Sequence, residues 1–304
     1  MNNNNIFFDE EVPIKEQIIK EVVKNKKTPS PKQKKKKNFI LILLFIIFLT
    51  FFTVSTLKIS LWHKDNEKTN EITEEIENIT TIEEVIEEKE NIELVNEEKE
   101  EPQSDYWYYI TFPLIQVDFN ELIKKNSDTV AWIQVNNTNI NYPVVKTTNN
   151  DYYLNKSYDK QYNEAGWVFM DYRNTGNLND KNTIIYAHSR LDKTMFGSLS
   201  KVLKSNWYKN KDNHIIKIST PNENGLYQIF SVYKIKAEDY YITTNFNTNN
   251  DYLNFLNTIK NRSIYNFNIT LNETDTIITL STCYSDTERT VVHAKKIKKS
   301  TRTS

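Results

Sequence analysis

The chain of 304 residues has little cysteine, little glycine and almost no net charge. A single cysteine excludes an intrachain disulfide, so any thiol chemistry is not structural cross-linking. One cysteine and four histidines also argue against a structural zinc site, which takes Cys-rich ligand sets at close spacing. Four glycines leave little room for a phosphate-binding glycine loop. The net charge of −1 by itself carries no information about nucleic-acid binding.

One long apolar segment lies near the N-terminus. Residues 38–57, NFILILLFIIFLTFFTVSTL, carry no charge and match the roughly 20 apolar residues that cross a bilayer. The basic run KQKKKK at 32–37 precedes them, so the positive-inside rule places the N-terminus in the cytoplasm and the bulk of the chain outside. A cleaved signal peptide is the alternative, but its apolar core would be shorter and a small-residue cleavage site would follow. The sequence favours an uncleaved single-pass anchor in the cell membrane, with residues 1–37 as a mostly disordered cytoplasmic tail.

Residues 58–104 are strongly acidic. Within them, isoleucines recur every three or four residues, which is helical spacing, at Ile72, Ile76, Ile79, Ile82 and Ile86. The density of negative charge favours a solvated, self-repelling extracellular stalk that is partly helical. A short coiled coil is the alternative, although its apolar stripe would be thin and interrupted.

From residue 105 to 304 the composition is that of a folded domain, rich in aromatic and β-branched residues. About 200 residues are enough to bury a real core. About eight short strand-like runs are predicted, with helices over DFNELIKKNSD, TMFGSLSKVL and NDYLNFLNTIKNRSIYNF. Many short strands with few helices predict a mainly β fold, a barrel or sandwich rather than a doubly wound sheet.

The lone cysteine, Cys283, lies in IITLSTCYSDTERTVVHAKK, residues 277–296. Free cysteine is among the most buried residue types, so a structural role is one interpretation. The other is a nucleophile, which needs a nearby His or Arg to favour the thiolate. Acyl transfer also needs a proton donor and a donor for the developing oxyanion. His188, in NTIIYAHS, and Arg289, six residues after Cys283, could supply both, but they could equally be a satisfied strand-end histidine and a surface ion pair.

Several segments resemble sortases. TLSTC resembles their T-L-x-T-C motif, NTIIYAHS the strand carrying their histidine, and RTVVHAKKI the strand that opens with their arginine. Upstream, VAWIQVNNTNINYPVV, NDYYLNKSYD and GWVFMDYRN resemble class B sortases of Gram-positive bacteria in order and spacing, over roughly residues 117–298. The resemblance implies a sortase-type eight-stranded β-barrel, preceded by an N-terminal helix and carrying an extra helix, at 248–266, before the cysteine strand.

The resemblance also implies a role for individual residues. Cys283 would attack the carbonyl of a Thr in a C-terminal sorting signal and form a thioester. His188 would donate and accept the proton, and Arg289 would hold the substrate backbone and stabilise the oxyanion. The implied substrate-binding residues are Ser281, Thr282 and Tyr186.

The implied partners are surface proteins that bear a sorting signal, and an amine on a peptidoglycan precursor or a pilin subunit as acceptor. Anchoring of proteins to the cell wall is the commoner role in the family, and pilin polymerisation is the alternative. No cofactor, metal or nucleic acid is implied.

Two departures from the family pattern accompany the resemblance. Ala187 stands where a glycine usually precedes the histidine, and YSDTE, between Cys283 and Arg289, is shorter than usual. His293, four residues past Arg289 and on the same strand face, is a second candidate base. A cysteine peptidase or amidase that uses water as acceptor is one alternative function. A non-enzymatic binding module with a buried, inert cysteine is another.

Overall fold

The structure, a computed structural model, describes residues 31–85, 92–97, 104–283 and 288–302. The chain divides into two compact units, residues 1–61 and 62–304. Most of the expected cytoplasmic tail, the helical position Ile86 and residues 284–287 of the YSDTE segment lie outside the described residues.

The first unit, described from residue 31 onward, is helical throughout and forms the first part of helix α1, Pro31–Ile79. Its large apolar side chains from Phe39 to Leu61 are exposed. The apolar stretch of α1 is long enough to cross a membrane, and none of it is buried inside the structure. These properties are compatible with a single-pass membrane anchor.

The described part of the second unit is built mainly from strands. The strands are β1 Ile82–Glu84, β2 Ile92–Leu94, β3 Ile115–Val117, β4 Thr129–Val135, β5 Asn141–Val145, β6 Phe169–Met170, β7 Asn182–His188, β8 Ile215–Ser219, β9 Glu223–Ile235, β10 Ile277–Cys283 and β11 Arg289–Thr301. The further α-helices are α2 Tyr106–Tyr109, α3 Asn120–Lys125, α4 Ser205–Tyr208 and α5 Asn249–Asn261. The 3₁₀ helices are Tyr152–Leu154, Gly197–Leu203, Lys211–His214 and Tyr240–Ile242.

Eight of these strands close into a barrel. Their order is β10-β7-β6-β5-β4-β8-β9-β11, and β11 pairs back onto β10. β2 adds to β11 outside the ring, and β1 pairs with β3 in a separate two-stranded sheet. The predicted mainly β fold, with an eight-stranded barrel, an N-terminal helix and an extra helix before the cysteine strand, is therefore confirmed; the extra helix is α5. Closure pairs both edges of the sheet, so the strand ends that carry the site have fixed neighbours.

Two hydrophobic clusters hold the site-bearing strands in place. The larger fills the barrel and includes the fully buried aromatic residues Trp132, Tyr158, Trp167 and Phe196. The other covers the outside of β9, β10 and β11 beneath α5. α5 buries Tyr252, Phe255, Leu256 and Ile259, which are spaced i, i+3, i+4 and i+7 as on one helix face. β7 and β9 are buried along almost their whole length, which shows that both faces of these strands are covered.

The structure differs from the expected stalk at residues 62–97. Ile72 and Ile76, one helical turn apart, are buried in the main core cluster. Just beyond α1, β1 pairs with β3, and β2 pairs with β11. The acidic residues occupy the other faces of the helix, so the isoleucine spacing marks a helix packed on the domain rather than a free stalk or a coiled coil.

Smaller differences concern local elements. The TMFGSLSKVL segment forms a 3₁₀ helix, Gly197–Leu203, where an ordinary helix was expected. Of GWVFMDY, only Phe169–Met170 pairs as a strand. The strand predicted from RTVVHAKKI extends further, as β11 runs to Thr301.

Candidate active site

Three neighbouring strands of the barrel end beside one another. β7 and β10 run parallel, and the last residues of each, His188 and Cys283, are register partners. β11 runs antiparallel to β10, with Val291 opposite Ser281, so the same register continued by two residues brings Arg289 opposite Cys283. Adjacent strands lie about 4.8 Å apart. The fold thus brings together the backbones of all three predicted catalytic residues.

The imidazole of His188 lies beside two backbone groups, Leu154 and Gly166. Its Nε2 lies 2.6 Å from the carbonyl oxygen of Leu154. Because a carbonyl only accepts, Nε2 carries the proton and donates it to this bond. Gly166, with φ of +60°, leaves room for the ring, since a Cβ there would lie only 3.0 Å from His188 Cδ2. In the neutral ring Nδ1 then bears the lone pair, so Nδ1 is the atom that can take up a proton.

Arg289 and Thr282 lie at the two ends of the segment that joins β10 to β11. Arg289 is the first residue of β11, is half-buried, and its backbone pairs with Ile235 of β9. Thr282 is buried, and its Oγ1 accepts a hydrogen bond of 2.9 Å from the backbone N–H of Thr290. The Thr282 side chain therefore ties the two strands together next to the site. Its predicted contact with substrate stays a prediction.

Ser281 connects the cysteine strand to the segment before α5. The Ser281 side chain is buried, and its Oγ lies 3.0 Å from the hydroxyl oxygen of Tyr241. Tyr241 lies in the 3₁₀ helix Tyr240–Ile242. Asn182, at the start of β7, donates to the carbonyl of Thr243 at 3.0 Å. Residues 240–243 are thereby fixed to β7 and β10.

An ion pair between the buried Asp171 and the partly exposed Arg173 supports the same segment. The hydroxyl of Tyr186 donates to Asp171 Oδ2 at 2.9 Å, and Arg173 Nη2 lies 2.7 Å from the same oxygen. Burial raises the pKa of Asp171, but the hydrogen bonds and charge of Arg173 outweigh it and hold that pKa below its usual range. Arg173 also donates to the carbonyl of Ile242 at 3.0 Å. Tyr186, expected to bind substrate, thus donates its hydroxyl to an ionised carboxylate.

His293, the second candidate base, is a structural residue. It is fully buried, its Nδ1 lies 2.8 Å from Thr279 Oγ1, and its Nε2 lies 2.7 Å from the hydroxyl of Tyr233. Thr279 donates its own hydroxyl proton to Asn182, so His293 Nδ1 donates to Thr279 and Nε2 accepts from Tyr233. Burial, with the nearby charge of Arg262, lowers the pKa of His293 to about 3.

The position of His293 along β11 also removes it from the strand ends. Its register partner is Thr279, four residues before Cys283 on β10. At about 3.3 Å per residue, that is roughly 13 Å along the strand. The same-face expectation for Arg289 and His293 is compatible with this register, but the distance separates His293 from the candidate site.

Several residues that build the site carried little signal in the sequence. Leu154 acts through its backbone carbonyl, which no side-chain motif encodes. Gly166, one of only four glycines, opens the segment GWVFMDYRN, and Asp171 and Arg173 close it. A rare glycine before a short apolar run and two charged residues after it were the only pattern in the sequence that could have pointed to this segment. Within the part of the chain that the structure describes, no group of three or more His, Cys, Asp or Glu side chains is arranged to hold a metal ion.

Comparisons with known proteins agree on one family. The Sortase domain family model matches residues 133–297. Sortase B of Listeria monocytogenes is 38% identical over 179 residues, which are 58% of this chain and 70% of the relative. The crystal structure of sortase B from Bacillus anthracis in complex with AAEK1 is 32% identical, spans 78% of this chain and 99% of its own, and superposes with a TM-score of 0.61. A sortase B solved in complex with triglycine is 38% identical, spans 59% of this chain and 85% of its own, and has a TM-score of 0.56.

Proposed function

The chain belongs to the sortase family as a class B cysteine transpeptidase, and we propose that it cleaves the C-terminal sorting signal of surface proteins after Thr and transfers them to an amine of the cell wall. The register partnership of His188 and Cys283 at the ends of β7 and β10 is the observation that carries this proposal. Arg289 starts the neighbouring strand, so a nucleophile, a proton carrier and a cation are available within two strand spacings.

In the first half-reaction the Cys283 thiolate attacks the carbonyl carbon of the Thr, and the electron pair of the C=O bond moves onto the carbonyl oxygen. The guanidinium of Arg289 stabilises this oxyanion. When the C–N bond breaks, His188 Nδ1 gives its proton to the leaving amine and a thioester remains. The Leu154 carbonyl holds Nε2–H throughout, so the ring keeps one orientation in both protonation states.

The second half-reaction runs the same steps in reverse with a new amine. The acceptor amine attacks the thioester carbonyl and loses its proton to His188, and the Cys283 thiolate is released. A similar sortase B was solved with triglycine, which supports an amine of a peptide as the acceptor class. Ser281, Thr282 and Tyr186 act as substrate-binding residues in this proposal. The buried bonds of Ser281 and Thr282 mean that they act chiefly by shaping the backbone of β10.

The full chain would work as a single-pass membrane protein with a cytoplasmic N-terminus and an extracellular catalytic domain. The long apolar stretch of α1, which follows the basic run at 32–37, supports this arrangement. Labelling intact cells with a membrane-impermeant amine reagent tests it. Lysines after residue 62 are expected to react and those at 32–37 only after lysis; the opposite pattern would reverse the orientation.

The catalytic proposal is tested by incubating the full chain, in detergent, with a panel of peptides that carry candidate sorting signals. We expect an intact mass increased by an acyl group on Cys283, and a shift of the product from the free acid to the triglycine adduct when triglycine is added. Hydrolysis alone at saturating triglycine would favour a peptidase that uses water. Absence of an acyl-enzyme with every peptide would contradict the proposal.

A further inference from the structure

The first turns of α1 in the second unit contact two chain segments, one beside the His188 ring and one bonded to the His188 backbone. We define the clasp as residues 65–69 of α1: Asp65, Asn66, Glu67, Lys68 and Thr69. One partner segment, residues 154–166, provides the Leu154 carbonyl that is bonded to the imidazole and Gly166, which lies beside it. The other, residues 189–196, is the loop that directly follows His188. One layer of residues thus separates the clasp from the candidate proton carrier.

The first contact runs through Asn163. Its side chain is fully buried, and its Nδ2 donates both to the Asp65 carbonyl and to Thr69 Oγ1, each at 3.1 Å. The Asn163 Oδ1 accepts from the N–H of Ala165 at 2.8 Å, and its carbonyl accepts from the N–H of Gly166 at 3.0 Å. Asn163 therefore forms the tight turn that presents Gly166 to His188, and α1 provides both acceptors of its side-chain amide.

The same segment is fixed at two further points. The backbone N–H of Glu164 donates to Asp65 Oδ2 at 3.2 Å, and Lys68 Nζ lies 3.1 Å from Asp159 Oδ2. The backbone N–H of Asn163 donates to the carbonyl of Asn155, the residue after Leu154, at 3.1 Å. A shift of α1 would therefore move the Leu154 carbonyl and Gly166 together.

The second contact runs through Arg190, two residues after His188. Its guanidinium is nearly buried and donates to Asn66 Oδ1 and, at 3.2 Å, to Asp192 Oδ2. The other carboxylate oxygen of Asp192 accepts from the N–H of Thr194 at 3.0 Å. The loop then returns so that the N–H of Phe196 donates to the His188 carbonyl at 3.0 Å. Asn66 thereby anchors the loop whose far end fixes the backbone of His188.

We propose that the clasp positions the His188 ring for proton transfer, with Thr69 and Asn66 as positioning residues that act through Asn163 and Arg190. This inference rests on the proposed function of His188 but adds residues that lie outside the Sortase match at 133–297. The clasp supports the segment beside the imidazole through Asn163 and the backbone of His188 through Arg190, so its loss is expected to alter the rate of chemistry more than substrate binding.

A purely stabilising helix would behave differently, and α1 itself offers the control. Glu75, two turns further along the same helix, pairs with Lys125 of α3. That pair joins α1 to the same unit, and neither partner belongs to a segment that contacts His188. Loss of the Glu75 pair reports what a helix contact contributes to stability alone.

The experiment uses the full chain in detergent with two substitutions at each positioning residue. Thr69→Val keeps the volume and removes the hydroxyl, whereas Thr69→Ser keeps the hydroxyl. Asn66→Ala removes the oxygen that accepts from Arg190, whereas Asn66→Asp keeps an acceptor oxygen at that position. Glu75→Gln is the matched control. The readouts are kcat, KM, the melting temperature, and the rate of Cys283 alkylation by iodoacetamide, which needs no sorting peptide.

We expect Thr69→Val and Asn66→Ala to lower kcat by about tenfold or more with KM within about twofold, because a small misplacement of a catalytic group has large effects. Both should change the alkylation rate, and Thr69→Ser and Asn66→Asp should restore kcat and the alkylation rate. Glu75→Gln should leave both at the wild-type level.

Two outcomes would overturn the inference. One is a wild-type kcat and alkylation rate in Thr69→Val and Asn66→Ala, whatever happens to their melting. The other is an equal loss in Glu75→Gln. A wild-type chain that cleaves no peptide would instead count against the proposed function, and the alkylation rates would still decide whether the clasp controls the site.

Discussion

Cys283 is the single cysteine, so its replacement removes every thiol from the chain at once. We expect Cys283→Ala to abolish peptide cleavage and acyl-enzyme formation while the melting temperature changes little. Cys283→Ser should be nearly inactive, because a hydroxyl ionises far less readily than a thiol. A structural cysteine would give the reverse pattern, with activity retained and stability lowered by a cavity. Appreciable cleavage by the alanine variant would contradict the role of Cys283 as the nucleophile.

Arg289 can be tested by keeping its charge and changing its shape. Arg289→Lys replaces a planar fork of donors with a single ammonium group. We expect kcat/KM to fall about 100-fold, as for loss of an oxyanion donor. Arg302→Lys is the matched control, since Arg302 Nη2 donates to the Val117 carbonyl and Ser219 Oγ; it should lower the melting temperature and spare kcat/KM. Near-normal turnover in Arg289→Lys would mean that the oxyanion donor lies elsewhere.

Gly166 can be compared with a second glycine in a similar conformation. Gly166 and Gly176 have φ of +60° and +89°, so alanine strains the backbone at both, by about 1–3 kcal/mol. Only at Gly166 would the new Cβ also clash, at 2.6 Å from the Tyr153 carbonyl and 3.0 Å from His188 Cδ2; at Gly176 the nearest atoms are 3.9 Å away. We expect both alanine variants to lose stability, but only Gly166→Ala to lose kcat. Equal kcat values, relative to folded protein, would contradict this account of the His188 ring.

At the scale of elements, β11 carries a histidine whose titration is linked to folding. The pKa of His293 is about 3 in the folded chain and about 6.5 when the chain unfolds. Between these values the unfolded state binds a proton that the folded state does not, so stability falls as the pH is lowered from about 6.5. The slope from this residue is at most about 1.4 kcal/mol per pH unit.

His293→Gln should remove that slope. Denaturant unfolding of both chains at pH 7, 6, 5 and 4 measures it. His214, whose pKa is also lowered by burial, is present in both chains, so the difference between them isolates His293. We expect the variant to be the less stable chain at pH 7, where two buried hydrogen bonds are altered, and to lose its disadvantage as the pH falls. Parallel stability curves would show that His293 does not titrate between the two states.

At the scale of the whole molecule, the two units predict where the chain can be shortened. A chain that begins at Trp62 keeps the entire second unit, and we expect it to melt cooperatively and to cleave peptide. A chain that begins at Ser104 loses the burial of Ile72 and Ile76, worth about 2 kcal/mol each, together with the clasp. It should melt at a lower temperature and have a lower kcat. Equal melting and equal kcat for the two truncated chains would show that the end of α1, β1 and β2 together contribute nothing to the domain.

The sequence by itself determined the eight strands of the barrel, the apolar span and the candidate residues at the strand ends. Runs of β-branched and aromatic residues favour strands locally. About 20 consecutive apolar residues predict a membrane-spanning helix whatever surrounds them. Cys283, His188 and Arg289 were identifiable because each stands at the edge of such a run, in segments that resemble one family. These are properties of short stretches, and short stretches can be interpreted without knowing their neighbours.

The tertiary structure alone decided which distant groups meet. It buried His293 four residues from the strand end, because the register of β10 and β11 sets that depth. It made residues 62–79 part of the domain, because the burial of Ile72 and Ile76 depends on surfaces far along the chain while the local composition is dominated by charge. It joined His188 to the Leu154 carbonyl, a backbone group that every residue possesses and that no sequence pattern can single out. Contacts between such distant groups depend on the closure of the barrel and on the packing of the segments around it.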